Sequence, residues 1–273
     1  MRLLLYNIRY GAGIGKHFHL PLPYCGYLKP SNGHFTRIVD FIKTVNPDIV
    51  GLLEVDFGSY RVERFNQAET IARELNHQVV CKSKYAEASM ARRVPVLNKQ
   101  GNAILTSLPI LARRYHFFRE GVKRLIIEVE LRDVTLFLVH LSVKFRHRHH
   151  QLNDLHALIA GHHKPVIVAG DFNVFWGDRE LQLFLAASGL TSANVDSRFS
   201  YPSRYPFMEL DYIFHSPEIR STDFQVPQVK LSDHAPLIWE FDIDAPETDG
   251  DLAPTSAAVA VADDMPAPLP ASG

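Results

Sequence analysis

The sequence predicts an α/β domain in which stacked β-sheets are covered by helices. Three observations carry this. Short apolar runs outnumber helical periodicities, several runs are apolar on both faces, and no linker or internal repeat divides residues 1–243. A strand buried on both faces needs a layer above and a layer below, which a half-exposed sheet does not supply. Composition agrees, since 46% hydrophobic and 22% charged residues suit a domain with a full-sized core.

Leu3–Ile8 reads as a buried first strand. Ile38, Phe41, Ile42 and Val45 recur at i, i+3, i+4 and i+7, an amphipathic helix stopped by Asn46-Pro47. Ile49–Leu53 is a second buried strand, ending at Glu54. Ala68, Ile71, Ala72 and Leu75 mark another helix, followed by a strand near Val79–Cys81. Ala103–Thr106, Leu125–Glu130 and Val134–Val139 read as strands, the last two as a hairpin around Arg132-Asp133. Leu152, Leu155, Leu158 and Ile159 predict a helix, and Val166–Ala169 a strand. A helix through Leu181–Leu185 and strands at Tyr212–Phe214 and Leu237–Phe241 complete the domain.

Residues 244–273, built mostly from Ala, Pro, Asp, Ser and Gly, bury too little apolar surface to offset ordering entropy and read as a disordered acidic tail. The tail holds six acids and no Lys or Arg, so the net charge of −1 hides 29 basic against 24 acidic residues in the remainder. That mildly basic balance suits an anionic substrate but gives no global claim on nucleic acid or membrane. Two cysteines, Cys25 and Cys81, cannot build a disulfide framework or a structural zinc site. No apolar run approaches the roughly 18–20 residues of a membrane span, and the N-terminus turns polar too soon for a signal peptide. A reduced, cytoplasmic, monomeric protein is expected.

The informative pattern is what stands at the strand ends. Asn7 interrupts the first strand, Glu54 ends the second, His140 follows Leu136–Val139, and Asp171 and Asn173 follow Val166–Gly170. Asp211 opens a late strand, and Ser232-Asp233-His234 precedes the last. Singly, these are ordinary turn, cap or core polar residues. Together they place carboxylates, amides and imidazoles on one rim, where sites on sheet scaffolds collect.

The runs Tyr6-Asn7-Ile8, Leu53-Glu54-Val55, Gly101-Asn102-Ala103-Ile104, His140-Leu141, Gly170-Asp171-Phe172-Asn173, Leu210-Asp211-Tyr212-Ile213 and Ser232-Asp233-His234 occur in that order. The ordered set resembles the endonuclease/exonuclease/phosphatase superfamily across residues 1–243. The resemblance implies a four-layer α/β sandwich, with two mostly antiparallel mixed sheets face to face, helices outside and the site at one rim. It also implies a divalent-metal-dependent phosphoesterase.

Phosphoester hydrolysis needs a charge clamp on the phosphoryl oxygens, an activated water and a stabilised leaving oxygen. Hard oxygen ligands select Mg²⁺ or Mn²⁺. By the resemblance, Glu54 is the direct metal ligand with Asn7 beside it, and Asp233 binds the same ion or a second one. Asp171 aligns the attacking water and takes its proton, while Asn173 holds a phosphoryl oxygen. Asp211 and His234 form a carboxylate–imidazole pair that serves either as general base or as phosphate clamp, a choice the sequence leaves open. His140 donates to the phosphate or the leaving oxygen, with Asn102 orienting it.

Two local features add candidates. Lys144-Phe145-Arg146-His147-Arg148-His149-His150 is a basic cluster that reads equally as a phosphate-facing loop or as the solvated start of a helix. Arg148 within it and Gln151 just after it match a family position where a structural role competes with substrate contact for Arg148, and His147 and His149 offer a weak transition-metal pair. Gly11–His34 is a long loop expected to wall the site, with Lys16, His17, His19 and His34 as phosphate contacts.

The superfamily splits into nucleases, lipid phosphodiesterases and phosphomonoesterases, so fold alone does not choose a substrate. Family nucleases often carry a Trp-rich, Arg-containing segment before the Asp-Tyr strand, and here Phe199–Pro206 lacks tryptophan. The lean is toward a lipid or small-molecule phosphoester, with nucleic acid allowed but not required. A DNA or RNA nuclease is the alternative, in which Tyr201, Arg204 and Tyr205 stack bases and hold phosphate. A binding protein that lost catalysis is the second alternative, disfavoured because none of the matched acidic positions is eroded.

Overall fold

A computed structural model of the chain describes residues 1–14, 32–84, 96–177 and 179–243. In chain order these form β1 (Arg2–Asn7), α1 (Asn32–Val45), β2 (Ile49–Asp56), α2 (Gln67–Leu75), β3 (Gln78–Ser83), β4 (Gln100–Thr106), β5 (Ala112–Phe117) and β6 (Leu125–Glu130). There follow β7 (Thr135–His140), α3 (Phe145–Ile159), β8 (Val166–Asp171), α4 (Arg179–Ser188), β9 (Thr191–Ser192), β10 (Asp211–His215), β11 (Ile219–Gln225) and β12 (Leu237–Ile243). The strands build two six-stranded sheets, ordered β11-β12-β1-β2-β4-β3 and β5-β6-β7-β8-β10-β9. Each sheet contains one parallel pair, β1–β2 and β7–β8, and is antiparallel elsewhere.

Packing explains why the central strands read as unbroken apolar runs. Leu3 and Leu5 face the second sheet, in a core with Leu138, Ile167 and Trp239. Leu4 and Tyr6, on the alternate face, pack with Ile38, Ile42 and Ile71 of α1 and α2. In the second sheet Phe137 and Val168 turn outward to Leu152 and Leu155 of α3 and Phe184 of α4. The result is helix, sheet, sheet, helix: the expected four layers. Fully burying each large apolar side chain contributes about 1.5–3 kcal/mol.

Local signals act where the residues predict. Asn46 takes a left-handed backbone directly before Pro47, which ends α1. Asn66 caps α2 by accepting the N–H groups of Ala68 and Glu69. Gly170 passes so close to β7 that an added Cβ would lie 2.0 Å from Val139 O. Only glycine allows β7 and β8 to keep register at the point where His140 meets Asp171.

Two expectations change. The second strand does not end at Glu54 but continues to Asp56 through a bulge, the pairing with β4 jumping between Leu52 and Val55. The bulge gives Glu54 a φ of 53° and frees its side chain from the strict alternation of the strand. Strands β5, β9 and β11, absent from the sequence reading, are edge strands, exposed along much of one face.

Candidate active site

Strand register assembles the rim. Parallel pairing of β7 and β8 sets His140 beside Asp171, and antiparallel β10 sets Asp211 on the other side of Asp171. In the first sheet Asn7 lies beside Leu53, one residue before Glu54. The segment before β12 returns Asp233 and His234 to the same end, tied to the loop before β10 by Ser203 N–H to Asp233 O and Ala235 N–H to Ser200 O.

Asp171 is the hub. Asn7 Nδ2 donates to Asp171 Oδ2 at 3.3 Å, joining the two sheets, and His140 Nε2 stands 3.1 Å from the same oxygen. Asp171 Oδ1 accepts the Asn173 N–H at 3.0 Å. His234 Nδ1 lies 2.7 Å from Asp211 Oδ2, while its Nε2 is 4.0 Å from Asp171 Oδ2. Ser200 Oγ donates to Asp211 Oδ2 at 2.6 Å, fixing the carboxylate. Thus Asn7, His140, Asp171, Asn173, Asp211 and His234 come together, with the Tyr201 ring 4.9 Å from the His234 ring and tilted 51° to it.

Glu54 closes the arrangement from the first sheet. Its Oε1 is 3.9 Å from Lys123 Nζ, and the Lys123 ammonium contacts His140 Nε2. The Glu54 N–H donates to Asn102 Oδ1 at 3.4 Å, so Asn102 positions Glu54 rather than His140 as expected. Glu54, Asn173 and Arg9 all have φ near 50°. For side chains with a Cβ this costs roughly 1–2 kcal/mol per residue, and such strain clusters at functional positions.

Charge is closely compensated. Burial alone would raise the Glu54 pKa, but Lys123, His140, Lys84 and His234 hold it below the ordinary value. Burial likewise opposes ionisation of Asp171, yet His140, His234 and Lys123 hold it well below the carboxylate range. Burial and Lys123 lower the His140 pKa, against the pull of Asp171 and Glu54. At His234 burial also lowers the pKa, but Asp211, then Asp171 and Asp233, push it up to about 10. Burial raises the Asp233 pKa, in part offset by His234 and Arg9.

Several candidates take other positions. Asp233 pairs with Arg9 at 3.2 Å, so its carboxylate already has a cationic partner. Arg148, a candidate substrate contact, is instead a buried strut. It donates to the carbonyls of Ser142, Val143 and Asn173 and to Glu180 Oε1. With its side chain 1% exposed and these contacts turning it inward, the guanidinium does not face substrate. Arg204 is exposed at a loop tip, 5.9 Å above the Tyr205 ring. The remaining basic cluster forms the start of α3, and His147 and His149 join no close metal-type group among the described residues. The His34 ring packs over Gly13. Lys16, His17, His19, Cys25 and the tail lie outside the described residues.

Three cations at this rim are absent from the sequence reading. Arg9 follows Asn7 closely enough that the first motif could have flagged it. Lys123 sits on the loop between β5 and β6, held by Gln151, whose Nε2 donates to the carbonyls of Glu120 and Lys123. Lys84 donates to Tyr10 Oη at 2.7 Å, and burial lowers its pKa to about 8 against the attraction of Glu54. Nothing local in the sequence marks either lysine.

The donor set fits a hard divalent cation. Asp171 and Asp211 present carboxylate oxygens within 4.8 Å of one another, and among the described residues Asp211 Oδ1 is buried without a hydrogen-bond partner. Carboxylate and amide oxygens dominate the remainder, as Mg²⁺ or Mn²⁺ requires.

Comparison with known proteins agrees with this fold. The profile of the Endonuclease/Exonuclease/phosphatase family matches residues 4–234. A UPF0294 protein of Yersinia pseudotuberculosis is 32% identical over 167 residues, 60% of this chain and 55% of the relative. The chain thus matches about half the length of that relative. Among solved structures, the human Nocturnin catalytic domain with bound sulfate has a TM-score of 0.64 at 19% identity, covering 89% of this chain and 93% of that one. A mannosyl-6-phosphatase from Bacteroides thetaiotaomicron gives 0.64 at 15% identity, covering 89% and 100%. D. rerio TDP2 complexed with a single-strand DNA product gives 0.63 at 15% identity, covering 89% and 98%. Likeness at these identities establishes the fold.

Proposed function

The chain belongs to the endonuclease/exonuclease/phosphatase family, and from that premise we propose that it hydrolyses a phosphoester by in-line attack of water, with a divalent cation. Members of the family are generally hydrolases of phosphoesters and typically depend on such a cation. The observation that carries the reading is the meeting of Glu54, Asn7 and, from the segment before β12, His234 on one sheet with Asp171 and Asp211 on the other.

Glu54 and Asn7, with Asp171 and Asp211 opposite, would hold Mg²⁺ or Mn²⁺. When bound, such an ion neutralises phosphoryl charge and polarises the phosphorus centre. The chain's own groups do the rest. Asp171, ionised and fixed by Asn7 and Asn173, aligns the attacking water and receives its proton as the new P–O bond forms and the opposite P–O bond breaks, the leaving oxygen departing in line and taking a proton from solvent water. His234, kept cationic by Asp211, clamps a phosphoryl oxygen; this favours the clamp over the general-base alternative, because a proton already bound tightly cannot be taken up. His140 donates an N–H to the phosphate or to the leaving oxygen, and Lys123 supplies positive charge beside it. The remaining Asn173 Nδ2 hydrogen reaches a phosphoryl oxygen, the other being committed to Leu141 O at 2.9 Å. Positioned acid–base groups of this kind contribute roughly 10²–10⁴-fold each.

The substrate class leans to lipid or small-molecule phosphoesters. The test is hydrolysis of bis-p-nitrophenyl phosphate and p-nitrophenyl phosphate beside plasmid, single-stranded DNA and RNA, each with Mg²⁺, Mn²⁺ or EDTA, and Glu54→Ala as the blank. Metal-dependent turnover of the small esters supports the reading. Cleavage confined to nucleic acid reassigns the protein as a nuclease. Silence on every substrate from a folded chain leaves the binding-protein alternative.

A further inference from the structure

The mouth of the site is rimmed by exposed apolar side chains. Val122, Val143, Phe145, Trp176, Tyr205 and Phe207 all stand exposed. They come from three loops, residues 118–124 before β6, 172–177 after β8 and 199–210 before β10, and from the junction of β7 with α3 at residues 141–146. By the register of β6, β7, β8 and β10, all four open at the end where His140, Asp171 and Asp211 stand. An aromatic run leads outward from the site itself. Tyr201 is 4.9 Å from His234, Phe175 is 5.9 Å from Tyr201, and Trp176 is 6.1 Å from Phe175. Six of the twelve exposed large apolar side chains among the described residues stand at this one end, and such a concentration at the mouth of a site marks an interaction surface.

Cations interleave with these groups. Val143, Lys144, Phe145 and Arg146 are exposed in succession, at an α3 N-terminus with no acid in its first turn. A helix N-terminus disfavours positive charge, so the fold gains nothing from Lys144 and Arg146 at that position. Arg204 and Lys230 flank the Tyr205 ring, each 5.9 Å from its centre.

We propose that this rim is a docking face for an anionic phospholipid surface, which would bring the site to the headgroup layer. Apolar side chains enter the acyl boundary while Lys and Arg meet anionic headgroups, and Trp and Tyr settle at the interface. Val122 and Val143 decide against single-stranded nucleic acid as the occupant. An aliphatic branch gives a base no stacking face, whereas it partitions readily into acyl chain.

The chain carries its own probe. Of its two tryptophans Trp176 is 78% exposed and Trp239 is 0% exposed, so a fluorescence change on docking reports Trp176. The experiment adds phosphatidylcholine vesicles, with or without a minority of phosphatidylglycerol, to the full chain in EDTA, where turnover is off and failure of the phosphoesterase reading does not enter. The expected result is a blue shift with co-sedimentation on anionic vesicles, weakened by salt. Trp176→Phe removes the shift while keeping most of the sedimentation. The exposed pair Val143→Ser with Phe145→Ser lowers partitioning about tenfold or more, and Arg204→Gln with Lys230→Gln lowers it about fivefold per charge on anionic vesicles alone. Absence of both the shift and the sedimentation on anionic vesicles overturns the proposal. So does quenching by single-stranded oligothymidylate without vesicle binding, which would make the face a base-stacking platform.

Discussion

His234 Nδ1 lies 2.7 Å from Asp211 Oδ2, and 23 residues of sequence separate the two. The carboxylate, itself anchored by Ser200, fixes the ring so that Nε2 turns toward Asp171. Burial works against the imidazolium, yet Asp211 with Asp171 and Asp233 raises its pKa from 6.5 to about 10. The folded chain therefore binds this proton more tightly than the unfolded one. Its contribution to stability is complete below pH 6.5 and is lost as pH rises through about 10. In Asp211→Asn, the His234 resonance followed by NMR should titrate well below the wild-type position, and the alkaline fall of the thermal midpoint should flatten. An unchanged titration would refute the pairing. Turnover in His234→Ala, Asp211→Ala and the double variant should fall to a similar level, because the pair acts as a unit.

Glu54 combines a φ of 53° with a carboxylate facing three cations. Glu54→Ala should abolish metal-dependent turnover while leaving the thermal midpoint in EDTA nearly unchanged. Glu54→Gly should be equally inactive yet more stable than Glu54→Ala by about 1 kcal/mol, since glycine adopts positive φ without strain. Denaturant unfolding of the two variants checks this. A large loss of stability in both would make Glu54 structural.

Arg148 is buried against Glu180, with the carbonyls of Ser142, Val143 and Asn173 on the same guanidinium. Removing it leaves a buried carboxylate unpaired, a change that costs about 3–5 kcal/mol. Arg148→Ala should therefore lower the unfolding midpoint strongly, while the folded fraction at low temperature keeps an almost normal KM. A raised KM in a fully stable Arg148→Ala protein would restore the substrate-contact role.

Gly170 lies under Val139 O with no room for a Cβ. Gly170→Ala should cost about 1–3 kcal/mol through overpacking. It should also spread β7 from β8, so that kcat falls further than stability alone explains. Measuring kcat at a temperature where the variant is fully folded separates the two effects. An unaltered kcat there would mean that the His140–Asp171 register tolerates the shift.

The sequence by itself determined the central architecture. Strands such as Leu3–Ile8 and Val166–Ala169 are legible because each is covered on both faces, so burial writes an uninterrupted apolar run. It also determined the residues at the rim, since polar groups of catalytic type stop those runs in a recognisable order. Tertiary structure decided everything that depends on neighbours distant in the chain. Strands β5, β9 and β11 pair on one side only and leave much of their surface wet, so composition does not separate them from loops. Lys123 and Lys84 are ordinary surface lysines in sequence, and only sheet closure brings them to Glu54. Arg148 carries a phosphate-binding guanidinium in sequence, and only the fold directs it inward to carbonyls and Glu180. Periodicity encodes which face a residue turns to its own element's core, whereas a charge acquires its role from the partners that the register of separate strands sets beside it.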